Sequence, residues 1–408
     1  MNWIKTALKA LFTLAAVLGT FAALLKYASV PYAWIALESL ILLSIAAVKV
    51  RSQTMKAVAF NLAFTALALG AAEVYMSGAC GILSGKQPCI TIKQGEGSFY
   101  TSFYNSDELR GYTAKPLQHA RSKLTTLDHQ VIYDVVYSTD QYGLRVTPPN
   151  DNPNSIPILF FGCSFTFGDG VNDDEALPYV FQVGSKNEYK AYNFALNGYG
   201  PHQMLRIIES GLIERVLGKS PDVAIYGVLT DHIERCNGNY PYDVSGPKYV
   251  LNDKNEVEFA GKLDESKAYR FMLHQLDKSY VIRRILLITL SHKRTTKDID
   301  LFIGILAKSR DFLMSKYNCR FYVLVWTWGN EEDKDVPYIR SELEKKNIRV
   351  IAAKDILTRF NDGSAKYYLH KCDGHPSALA YKRVSDYLLD YLRNAPYPLK
   401  GSTNEHVD

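Results

Sequence analysis

The chain has 408 residues, of which 47% are hydrophobic, 12% aromatic and 22% charged. That is more chain than one ordinary domain uses and enough apolar material for a sizeable core, so wholesale disorder is excluded. The formal net charge is +5 and the Lys and Arg residues are scattered, which leaves no basic stripe for nucleic acid.

The apolar residues are concentrated at the start. Segments 8–25, 30–48 and 57–72 each approach the length of a membrane-spanning helix, although the second carries Glu38 and the third is short. Lys5 and Lys9 precede the first, Lys26 alone follows it, and Lys49, Arg51 and Lys56 lie between the second and third. This bias puts the N-terminus and the second loop in the cytoplasm and everything beyond residue 76 outside. The expectation is a three-helix transmembrane bundle over residues 1–76, in a multi-pass inner-membrane protein whose remainder is periplasmic. The alternative is a signal peptide followed by buried helices.

Residues 77–154 form a connecting region rich in Gly, Ser and Tyr. Cys80 and Cys89 are spaced for a small disulfide loop in an oxidising compartment, and Cys236, Cys319 and Cys372 are further candidates for pairing. Residues 131–137 read as a strand, and the proline-rich stretch 147–153 as a linker. No CxxC, HExxH or tight Cys/His cluster occurs, so neither a structural zinc site nor any other cofactor is expected.

From residue 155 to 395 short apolar runs alternate with helical patterns. Candidate strands are 156–161, 190–195, 222–229, 320–326 and 348–352; candidate helices are 202–217, 298–317, 338–346 and 377–393. Such alternation predicts a parallel sheet with helices on both faces and a site at the carboxyl ends of its strands. Residues 235–294 break the pattern and read as an insertion over that site, while 396–408 form a tail. Glu234 and Arg235, where that stretch begins, read as surface or inter-loop ion pairs.

The chemistry gathers at strand ends. Gly162-Cys163-Ser164-Phe165-Thr166-Phe167-Gly168 follows the first strand directly, a setting that lifts a serine hydroxyl from the sheet edge and frees nearby backbone N–H groups. Cys163 itself reads as a small buried apolar residue. His375, in Asp373-Gly374-His375-Pro376, is the candidate base, with Asp373 to orient it. The turn from Asn193 to Gly200 follows the second strand, and Gly198 there can bring an N–H close to an oxyanion. Tyr199, Tyr240, Tyr242, Trp326 and Trp328 are candidate aromatic neighbours of a polar cleft.

These blocks resemble, in order and placement, those of the SGNH/GDSL hydrolase superfamily. Cys163 stands where many members carry aspartate, and the one-residue gap between Asp373 and His375 looks more like the branch of alginate O-acetyltransferase-like proteins. The resemblance implies a flavodoxin-like three-layer α/β/α fold and a Ser164–His375–Asp373 triad. It also implies an oxyanion hole from the backbone N–H groups of Ser164 and Gly198. The third block departs: where an asparagine is expected the chain reads Leu229-Thr230-Asp231-His232, leaving Thr230 or His232 as substitute donor. The implied activity is a membrane-anchored serine esterase, or an O-acyl transferase, acting on acylated glycans or lipids of the cell envelope. A membrane acyltransferase is a candidate partner. The alternative is an inactive fold that binds envelope polysaccharide or partners such an acyltransferase.

Overall fold

The computed structural model describes residues 52–76, 91–95, 103–126, 129–238, 240–243, 245–263, 294–326, 335–360 and 362–394. The chain divides into two compact units. One comprises residues 93–125, 129–265 and 294–408, the other residues 1–92, 126–128 and 266–293.

In the smaller unit the described element is the helix Gln53–Met76, whose Val58, Leu62, Phe64, Leu67 and Leu69 are exposed. This is where the third apolar segment falls. Among the described residues no helix is long and apolar enough to cross a membrane. The first two expected spans, and the expected Cys80–Cys89 loop, lie outside the described residues.

The larger unit is built on five parallel strands, β1 (Ile156–Phe161), β2 (Tyr189–Asn193), β3 (Val223–Val228), β4 (Arg320–Val325) and β5 (Arg349–Ala352). Their spatial order is β2-β1-β3-β4-β5. All six residues of β3 and of β4 are buried, which is why they read as unbroken apolar runs rather than alternating ones. The pleat sends alternate side chains to two cores. Leu159, Phe161, Ala224, Tyr226 and Val323 meet helices α2 (Pro201–Glu209) and α4 (Thr296–Tyr317) on one face. Ile158, Phe160, Ile225 and Leu324 meet α1 (Leu177–Gly184) and α5 (Ala378–Asn394) on the other. The result is the expected three-layer α/β/α arrangement, and the strand order is the flavodoxin-like one.

Three local features differ from expectation. The helix foreseen over 202–217 ends at Glu209 and restarts at Leu212, because Gly211 takes φ +75° between them. The helix α1 was not foreseen. In the stretch read as an insertion, Pro247–Leu251 and Val257–Lys262 form an antiparallel pair, and Tyr249 and Val257 join the core beneath α4. Residues 264–293 of that stretch lie outside the described residues. Ahead of the sheet, Val131–Ser138 is a strand as expected, paired antiparallel with His119–Thr126, and residues 147–153 hold no regular structure.

The cysteine expectations need correction. Cys236 and Cys319 are free and buried, Cys236 in a helix and Cys319 at the foot of β4, so they pair neither with each other nor with Cys372. Cys372 is disulfide-bonded. Cys163 is free and fully buried, as read from the sequence.

Candidate active site

In a sheet ordered 2-1-3-4-5 the chain leaves β1 toward one edge and β3 toward the other, which opens a crevice at the carboxyl ends of β1 and β3. Ser164 occupies that crevice, two residues beyond the Gly162 that ends β1. Gly162 has φ +146°, and a Cβ there would lie 2.4 Å from Thr166 Oγ1 and 3.0 Å from the Gly227 carbonyl of β3. Only glycine lets the chain turn this close to its neighbour. Cys163 is extended at φ −100°, and a single helical turn, Ser164–Phe167, follows, closed by Gly168 in the left-handed region.

His375 arrives from 211 residues further along, on the short antiparallel ribbon of Tyr368–His370 and Asp373–Pro376 that precedes α5. Its Nε2 is 2.9 Å from Ser164 Oγ, and its Nδ1 is 2.5 Å from Asp373 Oδ1. The same carboxylate oxygen accepts from the backbone N–H of His375 at 3.0 Å, so two bonds fix residue 375 to Asp373. An ionised carboxylate can only accept, which puts the ring proton on Nδ1 and leaves Nε2 to take the serine proton. The Phe165 ring lies 5.0 Å from the imidazole. The Asp373 side chain is 9% exposed and that of His375 25%, so the base is reachable while its orienting group is sheltered.

The turn after β2 is braced from several sides. Asn193 is buried, its Oδ1 accepting from Ala195 N at 3.2 Å. Asn197 donates from Nδ2 to Asp169 at 3.0 Å, its carbonyl accepts from the Tyr112 hydroxyl at 2.7 Å, and Asp169 in turn accepts from the Tyr137 hydroxyl at 2.5 Å. These contacts hold Gly198 at φ +81°, with Tyr112 and Tyr242 crowding the place a side chain would occupy. Among the described residues no acceptor takes the N–H of Ser164 or of Gly198, so both donors are open to a ligand.

The third block divides. The Thr230 residue is 8% exposed and its hydroxyl makes no hydrogen bond among the described residues. His232 is fully buried, with Nδ1 against the Tyr226 hydroxyl at 2.7 Å. Burial first, then the nearby Arg235 charge, hold its pKa well below the usual imidazole value, so the ring is neutral and sealed under the site. Both substitutes keep an uncommitted polar atom among the described residues, the Thr230 hydroxyl and the His232 Nε2, and Thr230 is the one that is not fully buried.

Several residues of the site carry no sequence signal. Arg145 is buried with its guanidinium between the Tyr137 and Phe167 rings, 4.7 Å from each centroid. It donates to the carbonyls of Phe167, Gly168 and Val171 and pairs with Asp173 at 3.0 Å, tying down the chain that leaves Ser164. Of the expected aromatic neighbours, Tyr199 is buried and donates to the Tyr112 carbonyl at 2.6 Å. Trp326 is a core residue packed on Phe165 and Tyr381, and Trp328 lies outside the described residues.

A parallel α/β sheet with serine, histidine and aspartate joined in one hydrogen-bonded line at its switch point has the site architecture of a serine hydrolase. The blocks read from the sequence stand after β1, after β2 and ahead of α5, while the one after β3 carries no asparagine. No protein-family model matches the chain, and no curated protein does. Solved structures do match. A lipolytic protein of the G-D-S-L family from Veillonella parvula DSM 2008 is 14% identical, with a TM-score of 0.37 over 59% of this chain and 100% of that one. A GDSL-like lipase from Bacteroides thetaiotaomicron VPI-5482 is 12% identical, with a TM-score of 0.31 over 62% of this chain and 93% of that one. A two-domain esterase active on acetylated mannans is 12% identical, with a TM-score of 0.33 over 59% of this chain and 49% of that one.

Proposed function

We propose that the chain is a serine esterase or acyl-ester transferase of the SGNH/GDSL type, held at the membrane by its first 76 residues and working on the outer side. The observation that carries the catalytic reading is the 2.9 Å approach of His375 Nε2 to Ser164 Oγ, in line with Asp373. Ser164 Oγ attacks the ester carbonyl as Nε2 takes its proton, while the charge left on the carbonyl oxygen falls to the N–H groups of Ser164 and Gly198. Collapse of that intermediate breaks the bond to the alcohol, which leaves with the proton from Nε2. Water or a sugar hydroxyl then gives its proton to His375 as it attacks the acyl-serine; collapse of that second intermediate breaks the bond to Ser164 Oγ, which takes the proton back from Nε2 as the acid or new ester leaves.

Thr230 is the reading's third oxyanion donor in place of the asparagine. The anchor and the membrane localisation rest on the three apolar segments and their charge bias. The disulfide at Cys372, one residue before the triad aspartate, favours an oxidising compartment. A site kept at the outer membrane face suits acylated glycans or lipids of the envelope, and a membrane acyltransferase as partner.

The test is hydrolysis of a small aryl acetate by the full-length protein. Ser164→Ala removes the turnover; equal rates for the two proteins would refute the reading.

A further inference from the structure

Arg235 lies on the short helix His232–Cys236 just past β3 and is 8% exposed. The sequence suggests a surface or inter-loop ion pair for it, and among the described residues the structure buries it without one. Nη1 donates to the carbonyl of Tyr199 at 2.9 Å, while Nε is buried with no acceptor among the described residues. Two neighbouring carboxylates are engaged elsewhere: Glu234 pairs with Arg294 at 2.7 Å, and Asp243 accepts from His202 and Gln203 at 2.7 Å each. Asp231 is within electrostatic range of the guanidinium but makes no ion pair with it among the described residues. A guanidinium cannot shed its charge by losing a proton, and an unpaired buried charge is costly to keep. An anion that reached the guanidinium would offset that cost.

The surroundings say where that anion would sit. Tyr199, which accepts from Arg235, immediately follows Gly198. The Cys163 thiol beside Ser164 and the hydroxyls of Tyr112 and Tyr242 stand within electrostatic range of the guanidinium. The Tyr240 ring centroid is 5.7 Å from it, and the Tyr240 and Tyr242 rings stand 5.3 Å apart at 46°. Tyr242 is 49% exposed, so this aromatic wall opens to solvent with the cation at its foot. Flat rings beside a planar fork suit a ring-shaped ligand bearing a carboxylate or phosphate.

We infer that Arg235 anchors an anionic group, a carboxylate or a phosphate, carried by the ester substrate close to its scissile bond. Tyr240 and Tyr242 form the wall along which the rest of that substrate lies. The inference rests on the esterase reading above and narrows its substrate class to acidic esters. A transition-state oxyanion is the weaker candidate for this charge, because it exists only in passing and leaves the resting guanidinium unpaired.

The experiment compares three acetylated methyl hexosides alike in all but one substituent: neutral, 6-carboxylate and 6-phosphate. The full-length wild-type protein prefers one of the acidic esters over the neutral one by at least about tenfold in kcat/KM, the gain from a charge-assisted hydrogen bond. Whichever acid is preferred identifies the source of the anion. Arg235→Gln collapses that preference through KM, and Arg235→Lys keeps part of it by retaining charge without the fork. No preference in the wild-type protein overturns the inference whether or not the variants fold. So does an Arg235→Gln protein, folded by circular dichroism, that loses acidic and neutral turnover in equal proportion. Loss of the underlying esterase reading is read separately, as turnover that survives Ser164→Ala.

Discussion

Replacing Gly198 by alanine tests the oxyanion assignment with a single methyl group. At this position a Cβ would lie 2.5 Å from Tyr112 Oη and 2.8 Å from Tyr242 Cε2, both inside contact distance. Tyr242 is exposed and can swing away. Tyr112 cannot, because its hydroxyl is the donor that holds the Asn197 carbonyl at 2.7 Å. The turn itself must therefore shift and carry the Gly198 N–H with it. Loss of one such donor costs about 3–4 kcal/mol at the transition state, or roughly 100- to 1,000-fold in kcat. Forcing alanine to φ +81° costs about 1–2 kcal/mol more, which appears as a lower Tm. Steady-state hydrolysis of an aryl acetate, run well below the variant's Tm, separates the two effects. Adding Tyr242→Ala to the variant restores little, since the fixed obstacle is Tyr112. A Gly198→Ala protein that keeps kcat within about threefold of wild type would refute the assignment.

Other expectations follow from the same contacts. Asp373→Asn leaves the ribbon in place but presents an amide to Nδ1 and spoils the tautomer, so kcat falls about 10⁴-fold with little change in Tm, by aryl acetate assay and calorimetry. Arg145→Leu leaves the carbonyls of Phe167, Gly168 and Val171 without their donor and lowers the unfolding free energy by about 3 kcal/mol or more, measured by urea titration. Burial keeps the His232 ring from taking up a proton that the unfolded chain accepts near pH 6.5. Its contribution to stability is full above that value and declines as pH falls below it, by at most about 1.4 kcal/mol per pH unit. His232→Gln removes this part of the slope. Parallel urea titrations at pH 7.5 and 5.5 check it, and identical slopes for the two proteins would count against it.

The five strands were legible because burial on both faces strips polar residues from each run, and glycine or proline marks the ends. The meeting of Ser164 and His375 was legible from block order, since parallel α/β topology gathers strand ends at one rim. The helix α1 leaves little trace in the sequence because it is eight residues long and begins beside Pro178. The division of 202–217 turns on one positive φ at Gly211, which periodicity alone does not reveal.

The bracing of the site was not legible. Tyr137, Asp169, Asn197 and Tyr112 lie as much as 85 residues apart and meet only through packing of the folded chain. Arg235 illustrates the same limit. An arginine after glutamate in a polar helix reads as solvated, and only its setting against Tyr199 and Tyr240 shows it buried, with no ion pair among the described residues. The site therefore came from the sequence as a reactive centre without the frame that holds it or the charge beside it.

The central claim is that His375 makes the Ser164 hydroxyl nucleophilic. Intact-mass analysis of the full-length protein after brief exposure to a fluorophosphonate tests it most directly. The account predicts one adduct per chain, mapped to Ser164, absent in Ser164→Ala and formed far more slowly in His375→Ala. An unmodified wild-type chain, or an adduct formed at the same rate in Ser164→Ala, would contradict it.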